Sequence, residues 1–95
     1  MIRVRYEVTD EGHTLSLQGH AGRADEGEDI VCAAVSVLFM TLCEVTEGEN
    51  VSSGDYNYYE ITCERSETND AAMSFALCGL GILAEENPEN IFIEE

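Results

Sequence analysis

The spacing of apolar residues changes along this chain from a period of two to a period near 3.6, and the change then happens a second time. Apolar and polar residues alternate over residues 2–9 and again over residues 14–18, with a polar turn at residues 10–13 between them. This pattern predicts a half-buried β-hairpin. From residue 30 to about residue 43 the apolar residues recur with helical spacing, which predicts an amphipathic helix.

The second half of the chain repeats this layout. A short strand near Val51 and an alternating segment at residues 59–63 predict a second hairpin. Thr68 is placed to cap a second helix, which the Asn-Pro pair at 87–88 ends, and residues 91–93 offer a last short strand. The predicted order is therefore β-β-α-β-β-α-β, an α+β fold with an antiparallel or mixed sheet and two helices on one face.

Length limits this fold to one domain, residues 1–95, with a single hydrophobic core. Chains this short bury only roughly 60–65% of their unfolded surface, so we expect a homodimer that buries more. The chain opens with an alternating segment rather than the apolar core of a signal peptide. No apolar run approaches the roughly 20 residues that span a bilayer, and we therefore expect a cytoplasmic protein.

Charge excludes two classes of partner. The chain carries 20 acidic residues against four basic ones, a net charge of -16 at pH 7. This charge repels phosphates and anionic membranes, so we expect neither nucleic acid nor a membrane as partner. Basic proteins or peptides would be attracted instead, and adaptation of the whole surface to a salty cytoplasm explains the charge equally well.

The cysteines are expected to be reduced thiols. They lie inside apolar-periodic segments of a chain without an export signal, which disfavours disulfides. No two of them have the short spacing of a chelating pair, so we expect no metal and no cofactor. The four are Cys32, Cys43, Cys63 and Cys78.

Cys32 is the cysteine best placed for nucleophilic chemistry. With Asp29 as the N-cap, Cys32 falls in the first helical turn, where unpaired backbone N–H groups favour a thiolate, although the charge of Asp29 opposes this. His20 lies twelve residues earlier at the end of the preceding strand, from which an imidazole can reach the thiol and act as general base. The alternative is that Cys32 is a small core residue at a tightly packed helix start.

Three further residues are candidates for supporting roles. Ser36 follows Cys32 by one helical turn and can hydrogen-bond the histidine or the substrate, or bond the carbonyl four residues back. Gly22 and Gly27 lie in a loop at residues 21–28, which we expect to be flexible and to cover the active site as a lid. Ordinary loop glycines are the alternative.

The other thiols and the second histidine are assigned to structural positions. Cys43, Cys63 and Cys78 do not lie at a helix start near a histidine, so we expect them in the core. His13 lies in the first turn among acidic residues and is expected to be solvated.

Residues 19–22 read Gly-His-Ala-Gly, and after a glycine at position 27 residues 29–36 read Asp-Ile-Val-Cys-Ala-Ala-Val-Ser. At this spacing the segment closely resembles the ribosomal-processing cysteine proteases of bacteria. The resemblance covers nearly the whole chain, and residues 79–88 are similar to the end of the family's second helix. It implies that His20 and Cys32 form a catalytic dyad, with Asp29 and Ser36 beside it and a flexible loop that orders on substrate.

Members of that family are homodimers that remove a short N-terminal extension from the twenty-seventh large-subunit ribosomal protein. The resemblance therefore implies a cysteine endopeptidase acting on the N-terminal peptide of a basic ribosomal protein, which an acidic enzyme would attract. A non-catalytic acidic binding module or chaperone for such a protein is the alternative function. A redox-sensing thiol is a third, although no partner cysteine is close to Cys32 in sequence.

Overall fold

The computed structural model describes residues 1–19, 26–47, 49–52 and 58–94, with the backbone alone for residues 26–29 and 49–52. Its elements follow one another in the predicted order β-β-α-β-β-α-β, which is therefore confirmed. They are β1 (Ile2–Val8), β2 (Gly12–Gln18), α1 (Glu26–Thr46), β3 (Glu49–Ser52), β4 (Tyr59–Glu64), α2 (Glu67–Glu86) and β5 (Ile91–Glu94).

The strands form one sheet in the order β3-β4-β2-β1-β5. β1 and β2 pair as the predicted hairpin, with Val4 opposite Leu17, and β3 pairs with β4 as the second hairpin. β2 joins the two hairpins through antiparallel pairing with β4. β5 lies parallel to β1, with Ile2 opposite Ile91, so the sheet is mixed rather than wholly antiparallel.

One face of the sheet packs against both helices. Alternation places every second side chain of a strand on this face, and Val4 and Ile61 are 0% exposed there. Val31 and Val35 of α1 and Met73 of α2 belong to the same buried cluster. Each large apolar side chain buried in this way contributes about 1.5–3 kcal/mol. This shared core fixes α1, and the residues it carries, against the ends of β1, β2 and β4.

α1 begins earlier than its apolar pattern predicts. The pattern starts at Ile30, but the helix starts at Glu26, so Asp29 is its fourth residue and the assignment of Asp29 as N-cap is wrong. Periodicity cannot mark a helical turn that has no apolar residue to bury, whereas acidic residues are favourable near the positive end of a helix. Gly27 accordingly lies in the first turn of α1 rather than in a loop, and residues 21–25 of the predicted loop lie outside the described residues.

α2 also begins before its predicted cap. Ser66 is the N-cap, and its hydroxyl oxygen accepts a hydrogen bond from the backbone N–H of Asn69 at 3.0 Å. Thr68 is the second residue of the helix, so its assignment as the cap is wrong. Serine and threonine are both favourable N-cap residues. The local sequence therefore does not show which of Ser66 and Thr68 caps the helix. The predicted end is confirmed, because Asn87 is the C-cap.

Candidate active site

Cys32 is the seventh residue of α1 and its side chain is partly buried. It lies next to the buried Val31 but on the side of the helix that faces an open cavity of about 270 Å³. Ser36, one helical turn further on, lines the same cavity, so the predicted shared face of these two residues is confirmed. The cavity lies where α1 meets the ends of β1, β2 and β4.

The walls of this cavity are mainly apolar. The rings of Phe39 on α1 and Tyr59 on β4 lie with centroids 6.0 Å apart and planes tilted by 57°, a favourable aromatic arrangement. Walls of this kind suit an apolar side chain of a bound peptide better than a charged one. The lining residues are Ile2, Leu17, Gly19, Cys32, Val35, Ser36, Phe39, Met40 and Tyr59.

Gly19 shapes the end of β2 beside Cys32. Its φ of +89° is a conformation that favours glycine, and a Cβ atom at this position would lie 2.5 Å from the carbonyl oxygen of Met1. Glycine is therefore required here for two independent reasons. Gly19 lines the cavity that Cys32 lines, and the next residue in the chain is His20. His20 and Gly22 lie outside the described residues.

The early start of α1 changes the electrostatic argument for Cys32. The backbone N–H groups without a helical partner are the first four, at residues 26–29, and the favourable effect of a helix start falls off within one turn. Cys32 lies in the second turn, so its placement in the first turn is wrong. Electrostatic support for a Cys32 thiolate must then come from elsewhere than the start of α1.

Two of the other three cysteines are less suited to attack a substrate. Burial raises the pKa of the Cys43 thiol, and burial together with the carboxylate of Asp70 raises the pKa of the Cys63 thiol. Both effects disfavour the nucleophilic thiolate. Cys78 is exposed on α2, so its assignment to the core is wrong. All four cysteines are thiols, as predicted.

His13 is buried, and the prediction that it is solvated is wrong. It is 4% exposed on β2, where its Nδ1 lies 2.7 Å from the hydroxyl of Tyr6 and its Nε2 lies 2.6 Å from Oδ1 of Asp70. Arg65 donates two hydrogen bonds to the same carboxylate, at 2.9 and 3.1 Å. Counting back in twos from Leu15 places residue 13 on the inward face, so the alternation contained this signal.

A second cavity of about 820 Å³ lies at the far end of β2, against His13, Cys63 and Arg65. His13 and Cys63 are directly opposite each other on β2 and β4, which raises the possibility of a second thiol–imidazole pair. Both ring nitrogens of His13 are already hydrogen-bonded, to Tyr6 and Asp70, and the pKa of Cys63 is raised. Among the described residues, His13 and Cys63 therefore do not form a thiol–imidazole pair suited to nucleophilic attack.

Within the described ranges, no three His, Cys, Asp or Glu side chains come together as a metal site would require. No helix in the described part of the chain is long and apolar enough to cross a membrane.

A partly buried thiol on a helix, facing an apolar cavity in a single α+β domain, is an arrangement that a small thiol-dependent hydrolase can use. The sequence model described as "Cysteine protease Prp" matches residues 1–92, so the chain belongs to that family and is a cysteine peptidase.

Solved structures share this fold. SMU.848 from Streptococcus mutans is 29% identical, with a TM-score of 0.87 over 99% of this chain and 92% of that one. The essential ribosomal processing protease Prp from S. aureus, in complex with a covalently linked product peptide, is 22% identical, with a TM-score of 0.84 over 99% of this chain and 98% of that one. The same protease in complex with a substrate peptide is 24% identical, with a TM-score of 0.77 and the same coverage. A search of curated proteins found no match.

Several residues of the site were not found from the sequence. Phe39 and Tyr59 form a wall of the cavity although 20 positions separate them, and their contact depends on how α1 crosses β4. Gly19 carried a signal, since a glycine at the end of a strand often marks a positive φ. The close approach of Gly19 to the carbonyl oxygen of Met1 could not be predicted from neighbouring residues, because it depends on the pairing of β1 and β2.

Proposed function

We propose that the chain is a cysteine endopeptidase in which Cys32 is the nucleophile and His20 is the general base. The observation that carries this proposal is the shared cavity of Cys32 and Gly19, because Gly19 immediately precedes His20 in the chain. Membership of a cysteine protease family supports it, as do the raised pKa values of the Cys43 and Cys63 thiols.

The proposed reaction proceeds in two steps. The Cys32 thiolate attacks the scissile carbonyl carbon, the C–N bond breaks, and His20 returns the thiol proton to the leaving amine. Water then attacks the thioester, with His20 accepting its proton, and releases the acid product and the thiol. An apolar side chain of the peptide occupies the cavity against the wall formed by Phe39 and Tyr59.

Asp29 and Ser36 are proposed to support this dyad. Ser36 lines the cavity beside Cys32, from which its hydroxyl can reach the histidine or the peptide. Asp29 is one helical turn before Cys32, close enough in sequence for its carboxylate to act on the charge of the site. Residues 21–25, including Gly22, are proposed to close over the bound peptide. Gly27, in the first turn of α1, is proposed as a hinge of this segment.

The proposed substrate is the N-terminal extension of the twenty-seventh large-subunit ribosomal protein. The S. aureus protease with the same fold is described as a ribosomal processing protease and was solved with substrate and product peptides. A net charge of -16 favours encounter with a basic protein. The enzyme is proposed to act in the cytoplasm as a homodimer without a cofactor, which agrees with the family resemblance and the small size of the chain.

Cleavage of the precursor by the purified protein tests this function. We expect mass spectrometry to find a new N-terminus on the ribosomal precursor with the native protein and none with Cys32→Ala. Cys78→Ala, which removes an exposed thiol on another helix, is the matched control and should retain activity. His20→Ala should also abolish cleavage.

Two outcomes would contradict the proposal. Cleavage of the precursor by the Cys32→Ala protein would show that Cys32 is not the nucleophile. An intact precursor held in a complex with the native protein, weakening steeply with salt, would instead indicate the acidic binding module.

A further inference from the structure

The face of the sheet away from the helices carries an open cavity of about 610 Å³. It lies over the middle strands β4, β2 and β1, and most of the side chains that line it are polar or charged. We call it the outer cavity. Antiparallel strands commonly leave one face of a sheet to water, so an uncovered face does not by itself indicate a partner. Two features of the outer cavity do indicate one.

The first feature is that the outer cavity adjoins the cavity at Cys32. Gly19, which follows β2, lines both cavities. Tyr59 lines the cavity at Cys32 and its neighbour Tyr58 lines the outer cavity, because successive side chains along a strand point to opposite faces. The two cavities therefore meet at the ends of β2 and β4, and a peptide bound at Cys32 can pass over these ends onto the outer face.

The second feature is the distribution of charge across the outer cavity. Strand register places Glu94, Arg5, Ser16 and Glu60 in one row that crosses β5, β1, β2 and β4. Nε of Arg5 lies 3.3 Å from Oε2 of Glu94, and Nη1 of Arg3 lies 3.1 Å from Oε1 of the same carboxylate. Both guanidinium groups of the outer cavity are therefore paired with an acid at the β5 end of the row.

Glu60 lies at the opposite end of this row, and among the described residues its carboxylate forms no ion pair. It accepts a hydrogen bond of 2.6 Å from the hydroxyl of Tyr58. Ser16, opposite Glu60 on β2, is only 9% exposed although its position in the strand points it away from the core. The phenol and the carboxylate are thus held together, and they offer a cationic side chain an aromatic ring and a negative charge in one place.

We propose that the outer cavity binds a basic side chain of the substrate, on the amine side of the scissile bond, through Glu60 and Tyr58. This rests on the proposed function, in which an extension is removed from the N-terminus of a basic protein. The residues after the cleaved bond then belong to that basic protein, and the apolar cavity at Cys32 takes a side chain of the extension. An acidic segment is disfavoured in the outer cavity because the net charge of -16 repels it before contact.

The thickness of the sheet sets the position of this basic residue in the substrate. The side-chain layers on the two faces of a sheet are separated by about 10 Å, and an extended peptide advances about 3.3 Å per residue. We therefore expect the basic residue roughly three to five positions after the cleaved bond.

Binding of two labelled peptides tests the inference, with fluorescence polarisation as the measurement and Cys32→Ala as the background that prevents cleavage. The long peptide continues well past the scissile bond of the ribosomal precursor, and the short peptide ends directly after it. Glu60→Gln removes the charge and keeps the shape, so we expect Kd for the long peptide to rise at least about threefold, and Kd for the short peptide to stay unchanged. Glu64→Gln, on the same face of β4 but at the far end of the strand, is the matched control and should change neither value.

A change in the substrate gives the same test without a change in the outer cavity. Replacing the basic residues that follow the scissile bond by Gln should raise Kd of the long peptide for the Glu60 protein and have little effect on Kd for Glu60→Gln. In the otherwise native enzyme, Glu60→Gln should raise KM for the long peptide and leave kcat unchanged, because the outer cavity does not touch the reacting atoms. Circular dichroism checks that each variant is folded, and the altered peptide decides the question if Glu60→Gln does not fold.

Three results would overturn the inference. They are equal affinity for the long and the short peptide, an equal effect of Glu60→Gln on both peptides, and a loss of affinity in Glu64→Gln as large as that in Glu60→Gln. Binding is measured without cleavage, so failure of the proposed function is distinguishable. Binding of the long peptide that depends on Glu60, in a protein whose native form cleaves neither peptide, would contradict the proposed function alone.

Discussion

Nε2 of His13 lies 2.6 Å from Oδ1 of Asp70, although 57 residues separate the two in the chain. An ionised carboxylate only accepts hydrogen bonds, so Nε2 of His13 donates to Asp70, and the hydroxyl of Tyr6 pairs with Nδ1 at 2.7 Å. Burial raises the pKa of Tyr6, which keeps the phenol protonated and able to donate. The network joins β1, β2 and the first turn of α2 at the end of the domain far from Cys32.

Removal of the imidazole should therefore destabilise the fold. His13→Ala leaves the Tyr6 hydroxyl and one lone pair of Asp70 without their partner, and we expect the free energy of unfolding to fall by about 1–3 kcal/mol. Urea denaturation measures this loss, and Thr14→Ala, the next residue on the opposite face of β2, is the control. A His13→Ala protein as stable as Thr14→Ala would show that the network contributes nothing.

Asp70 should contribute stability that is lost in acid. Hydrogen bonds from Arg65 and then from His13 lower the pKa of this carboxyl well below its usual range. A carboxyl whose pKa is lower in the folded than in the unfolded state stabilises the fold fully at pH values above its unfolded pKa, which is 3.8 here. This contribution is lost as the pH falls below 3.8 towards the pKa of the folded state. The difference in stability between the native protein and Asp70→Asn should therefore be constant near pH 6 and shrink below about pH 4.

Urea denaturation at a series of pH values measures this difference. Thr14→Ala, which changes no titratable group, is the control, and its difference in stability from the native protein should be the same at every pH. If the difference in the free energy of unfolding between the native protein and Asp70→Asn stayed constant down to pH 2, the lowered pKa of Asp70 would be contradicted.

Two glycines should respond to alanine in opposite directions. Gly19→Ala forces a side chain into a positive φ and to within 2.5 Å of the carbonyl of Met1, so we expect a loss of about 1–3 kcal/mol. Precursor cleavage should fall as well, because Gly19 lines the cavity at Cys32. Gly81→Ala meets no atom within 4 Å inside α2, and we expect a gain of about 0.5–1 kcal/mol. Thermal denaturation of both variants checks the signs, and a stable, fully active Gly19→Ala would count against the geometry of this strand end.

The melting temperature should rise with salt. Self-repulsion at a net charge of -16 destabilises the compact state, and salt screens it. A gain of about 1 kcal/mol corresponds to an increase of about 4–8 °C in Tm for a domain of this size. Glu85 and Glu86 end α2, whose last turn has no basic residue. Replacing both by Lys should raise Tm at low salt, through lower repulsion and a favourable helix end, and should reduce the effect of NaCl. A Tm independent of NaCl in the native protein would show that the repulsion is negligible.

The sequence predicted what depends on neighbours along the chain. Alternation at Val4 and Leu15 and helical spacing at Val31 and Val35 indicated the order of elements and most of the core. The parallel pairing of β5 with β1 could not be read in the same way, because no local pattern specifies which strand a short segment will join.

The functional site shows the same difference between features that the local sequence predicts and features that depend on tertiary contacts. Cys32 was singled out from its expected position in the first turn of a helix and from His20 twelve residues earlier, and the family resemblance of residues 19–36 then favoured it as a nucleophile over a core residue. The tertiary contacts could not be predicted, since Phe39 meets Tyr59 and His13 meets Asp70 only once the helices are docked. The start of α1 was misplaced because its first turn has no apolar residue to mark it.

The pairing of β1 with β5 can form only at the end of translation, because the two strands lie at opposite ends of the sequence. Ile2 cannot find Ile91 until nearly ninety further residues have been added, which takes roughly 5–20 s at typical translation rates. During that interval one edge of β1 has no strand beside it, and an open edge is where nascent chains aggregate. Arg3 and Arg5 lie on this strand, and in the finished fold both contact Glu94. Before Glu94 has been synthesised, the positive charges of Arg3 and Arg5 would disfavour pairing of the open β1 edge with another chain.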